Sequence, residues 1–278
     1  MIAEGLLASV AKVLATVVVG LPLFVWLMQD RLIFYRQPAS EAQRAQVAKQ
    51  HPAASSVHLA AADGTRLHAW HVPGQGPLVI YFGGNAEEVS WMLQRIGDPA
   101  RGETPGTGWL LVDYRGYGSS EGTPSEEALV ADALAWFDLA ATLPGVDKAH
   151  ILPFGRSLGS GVAVQLAHAR PVRALILATP YDSLAAVGRH YYWYLPVDWM
   201  LRHRFDSDLL APGMKQPLLA LIAERDEVIP PARAEALFKA WGGPKRRVVL
   251  AGAGHNSTDA HPQFWDEVHR FIIEQSKD

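Results

Sequence analysis

Two kinds of apolar pattern alternate along the chain. Runs at 77–82, 108–113, 149–154, 173–178, 217–223 and 246–250 are nearly continuous in apolar residues, as strands buried on both faces are. Between them, at 87–96, 125–141, 158–169, 231–241 and 262–275, apolar residues recur every three or four positions, as on one face of a helix. Ser125, followed by Glu126 and Glu127, reads as an N-cap with acidic residues in the first turn. Strand alternating with helix predicts an α/β protein with a mostly parallel sheet flanked by helices. Upstream, strand-like runs at 56–61 and 65–72 flank Asp63-Gly64, a hairpin signal that adds an antiparallel edge. A polar stretch at 41–50 has helical character.

Two stretches break the rhythm. The first, 181–212, carries Tyr191, Tyr192, Trp193, Tyr194, Trp199 and Phe205, and is too long for an ordinary connection. It is expected to be a small helical lid inserted over the sheet edge. The second opens the chain: Leu6 to Met28 is almost entirely apolar, broken by Ser9 and Lys12. As a helix it would be about 35 Å long, with Lys12 snorkelling to the nearer interface and Trp26 at the far one. Small residues that would mark a cleaved signal peptide are missing around Trp26–Met28, and no polar face suggests an amphipathic helix. The expected organisation is a single-pass membrane anchor over 1–30 and one α/β domain over 31–278. Arg31, Arg36, Arg44 and Lys49 after the run lean toward a cytoplasmic domain. A short positive start before an apolar run is also the pattern of a signal-anchor, which places the domain outside.

Composition narrows the class. The chain has 278 residues, 49% of them hydrophobic and 19% charged, with a net charge of −3, the balance of a protein with a large core. No basic block interleaved with aromatics supports nucleic-acid binding. With no cysteine, disulfides, thiolate metal sites and a Cys nucleophile are excluded.

Candidate chemistry gathers where strands end. Gly155-Arg156-Ser157-Leu158-Gly159 is a G-x-S-x-G motif between a strand and a helix, where a sharp turn lifts the hydroxyl and the helix start offers N–H groups to an oxyanion. Pro153, just before it, is unusual in a central strand and is expected to mark where the ladder ends. A serine hydroxyl needs a base. Of eleven histidines, His255 is best placed, on a glycine-rich loop after the last strand. His261 begins the final helix, while His68, His71 and His150 read as packing or surface residues. Asp226, after the 217–223 strand, is the candidate orienting acid, with Glu224, Glu227, Asp206 and Asp208 as less well placed acids. The order Ser157, Asp226, His255, each after a strand end, is stronger than the motif alone. Gly83-Gly84-Asn85, after the 77–82 strand, lets backbone approach a substrate closely; the Asn85 and Leu158 N–H groups are the candidate oxyanion donors. No dinucleotide fingerprint or P-loop is present, and no cofactor is required.

These residues resemble the α/β-hydrolase superfamily across about 55–278. The matching stretches are Tyr81-Phe-Gly-Gly-Asn-Ala86, Leu111-Val-Asp-Tyr-Arg-Gly-Tyr-Gly-Ser119, Gly155-Arg-Ser-Leu-Gly-Ser160, Asp226-Glu-Val-Ile-Pro230 and Gly254-His-Asn256. They look most like the membrane-anchored single-domain serine hydrolases that include depalmitoylases and lipid hydrolases. Two positions depart from the pattern: Gly83 where His is frequent, and Ala223 where the acid loop usually opens with Gly. The resemblance implies hydrolysis of an ester, thioester or, less often, amide. The partner expected is a small-molecule or lipid acyl substrate. A peptidase, or a non-catalytic binding protein on the same scaffold, is the alternative.

Overall fold

In the computed structural model, which describes residues 16–96 and 106–277 together with Gly5, Ser9 and Lys12, each apolar run becomes a strand. Eight strands form one sheet: β1 (Ser55–Ala60), β2 (Arg66–Val72), β3 (Leu78–Phe82), β4 (Gly108–Asp113), β5 (Ile151–Arg156), β6 (Leu175–Ala178), β7 (Leu218–Ala223) and β8 (Lys245–Leu250). Their spatial order is β1-β2-β4-β3-β5-β6-β7-β8. Only β2 runs against its neighbours β1 and β4; the other pairings are parallel. The Asp63-Gly64 signal makes the β1–β2 turn, with Gly64 at φ 82, a conformation that favours glycine.

The helices are α1 (Leu21–Ile33), α2 (Glu41–Gln50), α3 (Trp91–Ile96), α4 (Glu126–Ala140), α5 (Leu158–Ala169), α6 (Leu184–Tyr191), α7 (Val197–Met200), α8 (Ser207–Leu210), α9 (Pro231–Ala240) and α10 (Pro262–Gln275). Strand pleating sends alternate residues to opposite faces, and this divides the core in two. Leu78, Ile80 and Phe82 join Trp136 of α4, Val162 of α5 and Leu237 of α9. Val79 and Tyr81 join Met92 of α3 and Phe264 and Val268 of α10. Burying each large apolar side chain contributes about 1.5–3 kcal/mol, so both faces are needed to hold the sheet.

Several expectations need adjustment. Helix α3 starts at Trp91 rather than Glu87, because the Glu87 carboxylate is held by Tyr81, Gly84 and Arg156 instead of lying in a first turn. Pro153 does not end a ladder: β5 continues to Arg156. Pairing of β5 with β6 begins at Phe154, one residue past the proline, so the missing N–H costs no bond on that side.

The predicted anchor lies in part outside the described residues, which omit 1–4, 6–8, 10–11 and 13–15. A π-helical turn at Thr16–Gly20 leads into α1, which runs to Ile33, three residues beyond the expected boundary. Among the described residues no helix is long and apolar enough to cross a membrane. The end of α1 instead packs on the domain. Gln29 is buried, and its side-chain amide donates to Trp26 O and Met200 O while its oxygen accepts from Arg202 N. Asp30 pairs with Arg202 and His203, each at 2.9 Å. The segment 181–212 holds α6, α7 and α8, with Phe205 buried against Gly161 of α5.

Candidate active site

The chain leaves β3 toward β4 on one side and returns to β5 on the other, making the switch point at which α/β sheets open a crevice beyond their carboxyl ends. The Gly83–Asn85 loop follows β3 and Ser157 follows β5, so the two flank that crevice directly. Asp226 and His255 lie on the loops after β7 and β8.

Ser157 sits between β5 and α5 with φ 50 and ψ −117, a conformation L-residues rarely adopt. Hydrogen bonds on both its backbone groups maintain it: Ser157 N donates to Ala178 O at 2.9 Å, and the Ser160 side chain donates through Oγ to Ser157 O at 2.7 Å. The flanking glycines are required by contact. A Cβ at Gly159 would lie 2.1 Å from Phe82 O, and one at Gly155 would lie 2.3 Å from Gly159 O. Gly159→Ala is therefore expected to force α5 off β3 and to lower stability by about 3 kcal/mol. Urea denaturation checks this; an unchanged midpoint would show that the backbone yields freely.

The three sequence-predicted side chains meet. Ser157 Oγ is 2.9 Å from His255 Nε2, and His255 Nδ1 is 2.9 Å from both Asp226 carboxylate oxygens. This network assigns the tautomer with the proton on Nδ1, leaving Nε2 to accept from the serine hydroxyl. Both side chains of the His–Asp pair are almost fully buried. Asp226 is itself steadied by Val228 N at 2.9 Å and Ile229 N at 2.7 Å, both donating to Oδ1. Glu227 accepts from His255 N at 3.1 Å, so one acid orients the imidazole and its neighbour fixes the backbone beneath it.

The Gly83–Asn85 loop is braced from three sides. Tyr114 donates to Gly83 O at 2.9 Å, and Gly84 N donates to Glu87 at 2.6 Å. The Asn85 side-chain oxygen accepts from Tyr117 OH and Tyr35 N, both at 2.8 Å. A Cβ on Gly84 would sit 3.5 Å from Ser157 Cβ, which places this loop against the nucleophile position. Among the described residues the Asn85 and Leu158 N–H groups make no hydrogen bond, and Leu158 opens α5, where N–H groups have no intrahelical acceptor.

Glu87 is the residue that pattern reading missed. Its carboxylate accepts from Tyr81 OH at 2.6 Å, Trp91 Nε1 at 2.8 Å and Arg156 Nη1 at 3.0 Å, besides Gly84 N. Burial disfavours a charge on Arg156, but the Glu87 carboxylate outweighs it and raises the guanidinium above its ordinary value. Burial also pushes the Tyr81 and Tyr114 phenols well up, so both stay protonated donors. A charged residue at the first x of G-x-S-x-G, with an acid shortly after the Gly-Gly loop, was the available signal.

The other histidines take different places. His261 caps α10. His68 is fully buried and joins Ser56 at 2.6 Å and Asp113 at 2.7 Å in a second Ser–His–Asp chain within β1, β2 and β4. Ser56 lies on a regular strand, without the turn that exposes Ser157. Since Ser119 N and Ser120 Oγ also bond to Asp113, this chain fastens the segment that carries Tyr114 and Tyr117. Among the described residues no group of His, Cys, Asp and Glu could hold a metal ion.

No family model matches the chain. The uncharacterized protein Rv2307c of Mycobacterium tuberculosis is 36% identical over 271 residues, covering 95% of this chain and 94% of that one. The alpha/beta hydrolase domain-containing protein WAV2 of Arabidopsis thaliana is 28% identical over 201 residues, 66% of this chain and 65% of its own. An alpha-beta hydrolase from Vibrio vulnificus shares the fold at a TM-score of 0.69 and 20% identity, over 89% of this chain and 92% of that one. The named plant relative and the shared fold lead to one assignment: the chain belongs to the α/β-hydrolase superfamily.

Proposed function

We propose that the protein is a serine hydrolase that cleaves carboxylic esters or thioesters through an acyl-enzyme. The observation that carries this reading is the continuous hydrogen-bond line from Ser157 Oγ through His255 to Asp226, with every link at 2.9 Å, on a strained strand-to-helix turn. Ser157 Oγ attacks the acyl carbon as its proton passes to His255 Nε2. Asp226 holds the imidazole in the accepting tautomer and stabilises its charged form. The Asn85 and Leu158 N–H groups donate to the tetrahedral oxyanion, a service worth about 2.7–4 kcal/mol per donor in such sites. The imidazolium then protonates the leaving alcohol or thiol. Water, deprotonated by the same His255, attacks the acyl-enzyme and releases the acid and the free serine.

A fluorophosphonate probe tests this, because it phosphonylates only a serine activated in this way, with loss of fluoride. Labelling of the intact protein on the peptide carrying Ser157 is expected. Absence of labelling would favour a non-catalytic scaffold, and turnover of aminoacyl amides in preference to esters would favour a peptidase.

Membrane attachment through the N-terminal apolar run is part of the proposal. It is supported by the composition of 6–28 and by the exposed side chains of Val18, Leu23, Phe24 and Leu27. The intact chain is expected to sediment with membranes and to resist high-salt extraction. Recovery in the soluble fraction would remove this part.

A further inference from the structure

A cleft beside Ser157 is walled by a segment that takes no part in the triad. It has a volume of about 690 Å³ and reaches from Ser157 and Asn85 along the whole of α1. Leu21, Val25, Gln29, Leu32 and Ile33 line it, and their spacing is one face of a helix. Leu184, Val187 and Leu195 of the insertion form part of the facing wall.

Most of the polar groups in this lining are already engaged within the protein, the hydroxyls of Tyr192 and Tyr194 excepted. Both ends of the Gln29 amide are committed to Trp26 O, Met200 O and Arg202 N, so only its methylenes are left for the cleft. The hydroxyls of Tyr181 and Tyr191, also in the lining, are spent on Leu158 O and Glu227 O. One oxygen of the Glu227 carboxylate, Oε2, accepts from His255 N, and the residue stands at the exposed rim. A sugar or a charged headgroup would find few free partners along α1, whereas a hydrocarbon chain would cover mostly apolar surface there.

The cleft also has a direction. Just past the end of α1, Tyr35 N bonds to Asn85, so the Ile33 end lies beside the oxyanion loop and Leu21 lies at the far end. Twelve residues of helical rise separate them, about 18 Å. The Gln29 bonds and the Asp30 pairs with Arg202 and His203 hold α1 in this position against the insertion.

We infer that α1 is a wall of the acyl-binding site, that the substrate carries a single long unbranched acyl chain lying between α1 and the insertion, and that Val25 and Leu21 set the chain length accepted. This rests on Ser157 being the acyl-transfer nucleophile. Chain carbons nearest the ester pass Ile33 and Leu32, the middle of the chain passes Gln29 and Val25, and the terminal methyl of the longest chains reaches Leu21.

The test is kcat/KM of the full-length protein on nitrophenyl esters from butyrate through octanoate and laurate to palmitate. Wild type is expected to gain with chain length. Val25→Trp, which fills the middle of the cleft, is expected to lower the palmitate-to-butyrate ratio by at least about tenfold, the loss of burial of two or more methylenes. Leu21→Trp is expected to penalise palmitate while sparing laurate. Leu21 is 43% exposed, so this variant remains informative if Val25→Trp does not fold. A flat wild-type profile with good butyrate turnover would overturn the acyl site and leave the nucleophile assignment standing. An unchanged profile in the folded variants would do the same. Failure to cleave any ester would overturn the hydrolase reading and this inference with it.

Discussion

Ser157→Ala is expected to abolish fluorophosphonate labelling and to lower ester turnover by about 10⁶-fold, with about 10³–10⁴-fold acceleration over water remaining. The size follows from what the variant keeps. Alanine retains a Cβ in the strained backbone at φ 50, and the Asn85 and Leu158 N–H groups are untouched. The fold and the oxyanion donors therefore survive, while the group that forms the covalent intermediate is lost. Side-by-side kinetics on a short nitrophenyl ester, with a melting curve to show that the variant is folded, decide the matter. Equal labelling of Ser157→Ala would mean that another serine is the nucleophile.

Asp226→Asn has the second largest expected effect, about 10⁴-fold in kcat, without visible disturbance of the fold. Asp226 Oδ1 accepts from Val228 N and Ile229 N, and these backbone donors will keep the carbonyl oxygen of an asparagine on their side. The asparagine NH₂ is then left facing His255 Nδ1. His255 Nδ1 then keeps one acceptor and faces one donor, which favours the tautomer with the proton on Nε2, unable to accept from Ser157. A loss under about tenfold would show that Asp226 does not orient the base.

The sheet was legible because strands covered on both faces must be apolar throughout, and 77–82, 108–113 and 217–223 carry no competing helical period. Ser157, Asp226 and His255 were legible because each follows such a run, so their meeting is a consequence of parallel strands sharing a carboxyl edge. Glu87 was not. A carboxylate before an amphipathic stretch resembles a helix start, and only its partners Tyr81 and Arg156, brought together by the sheet, show otherwise. The docking of α1 was illegible for a related reason. Gln29 meets residues 171 and 173 positions away, and such contacts leave no period in a sequence. The insertion was located by length and aromatic content. Five of its seven aromatics are nonetheless exposed, and only Tyr181 and Phe205 are buried, a division that side-chain count does not reveal.

The closeness of α1 to Ser157 has a kinetic consequence. Apolar contact along a helix wall is the same for a bound substrate, for the transition state and for the acyl-enzyme. Such uniform binding lowers KM without raising kcat. With the proposed acyl site, it would persist after the acyl bond is cut, so the released acid would be held by the surface that recruited its ester. Product departure, rather than bond cleavage, would then set the pace for the chains that fit best, and the Gln29 and Asp30 contacts that hold α1 in place would govern how quickly the site empties.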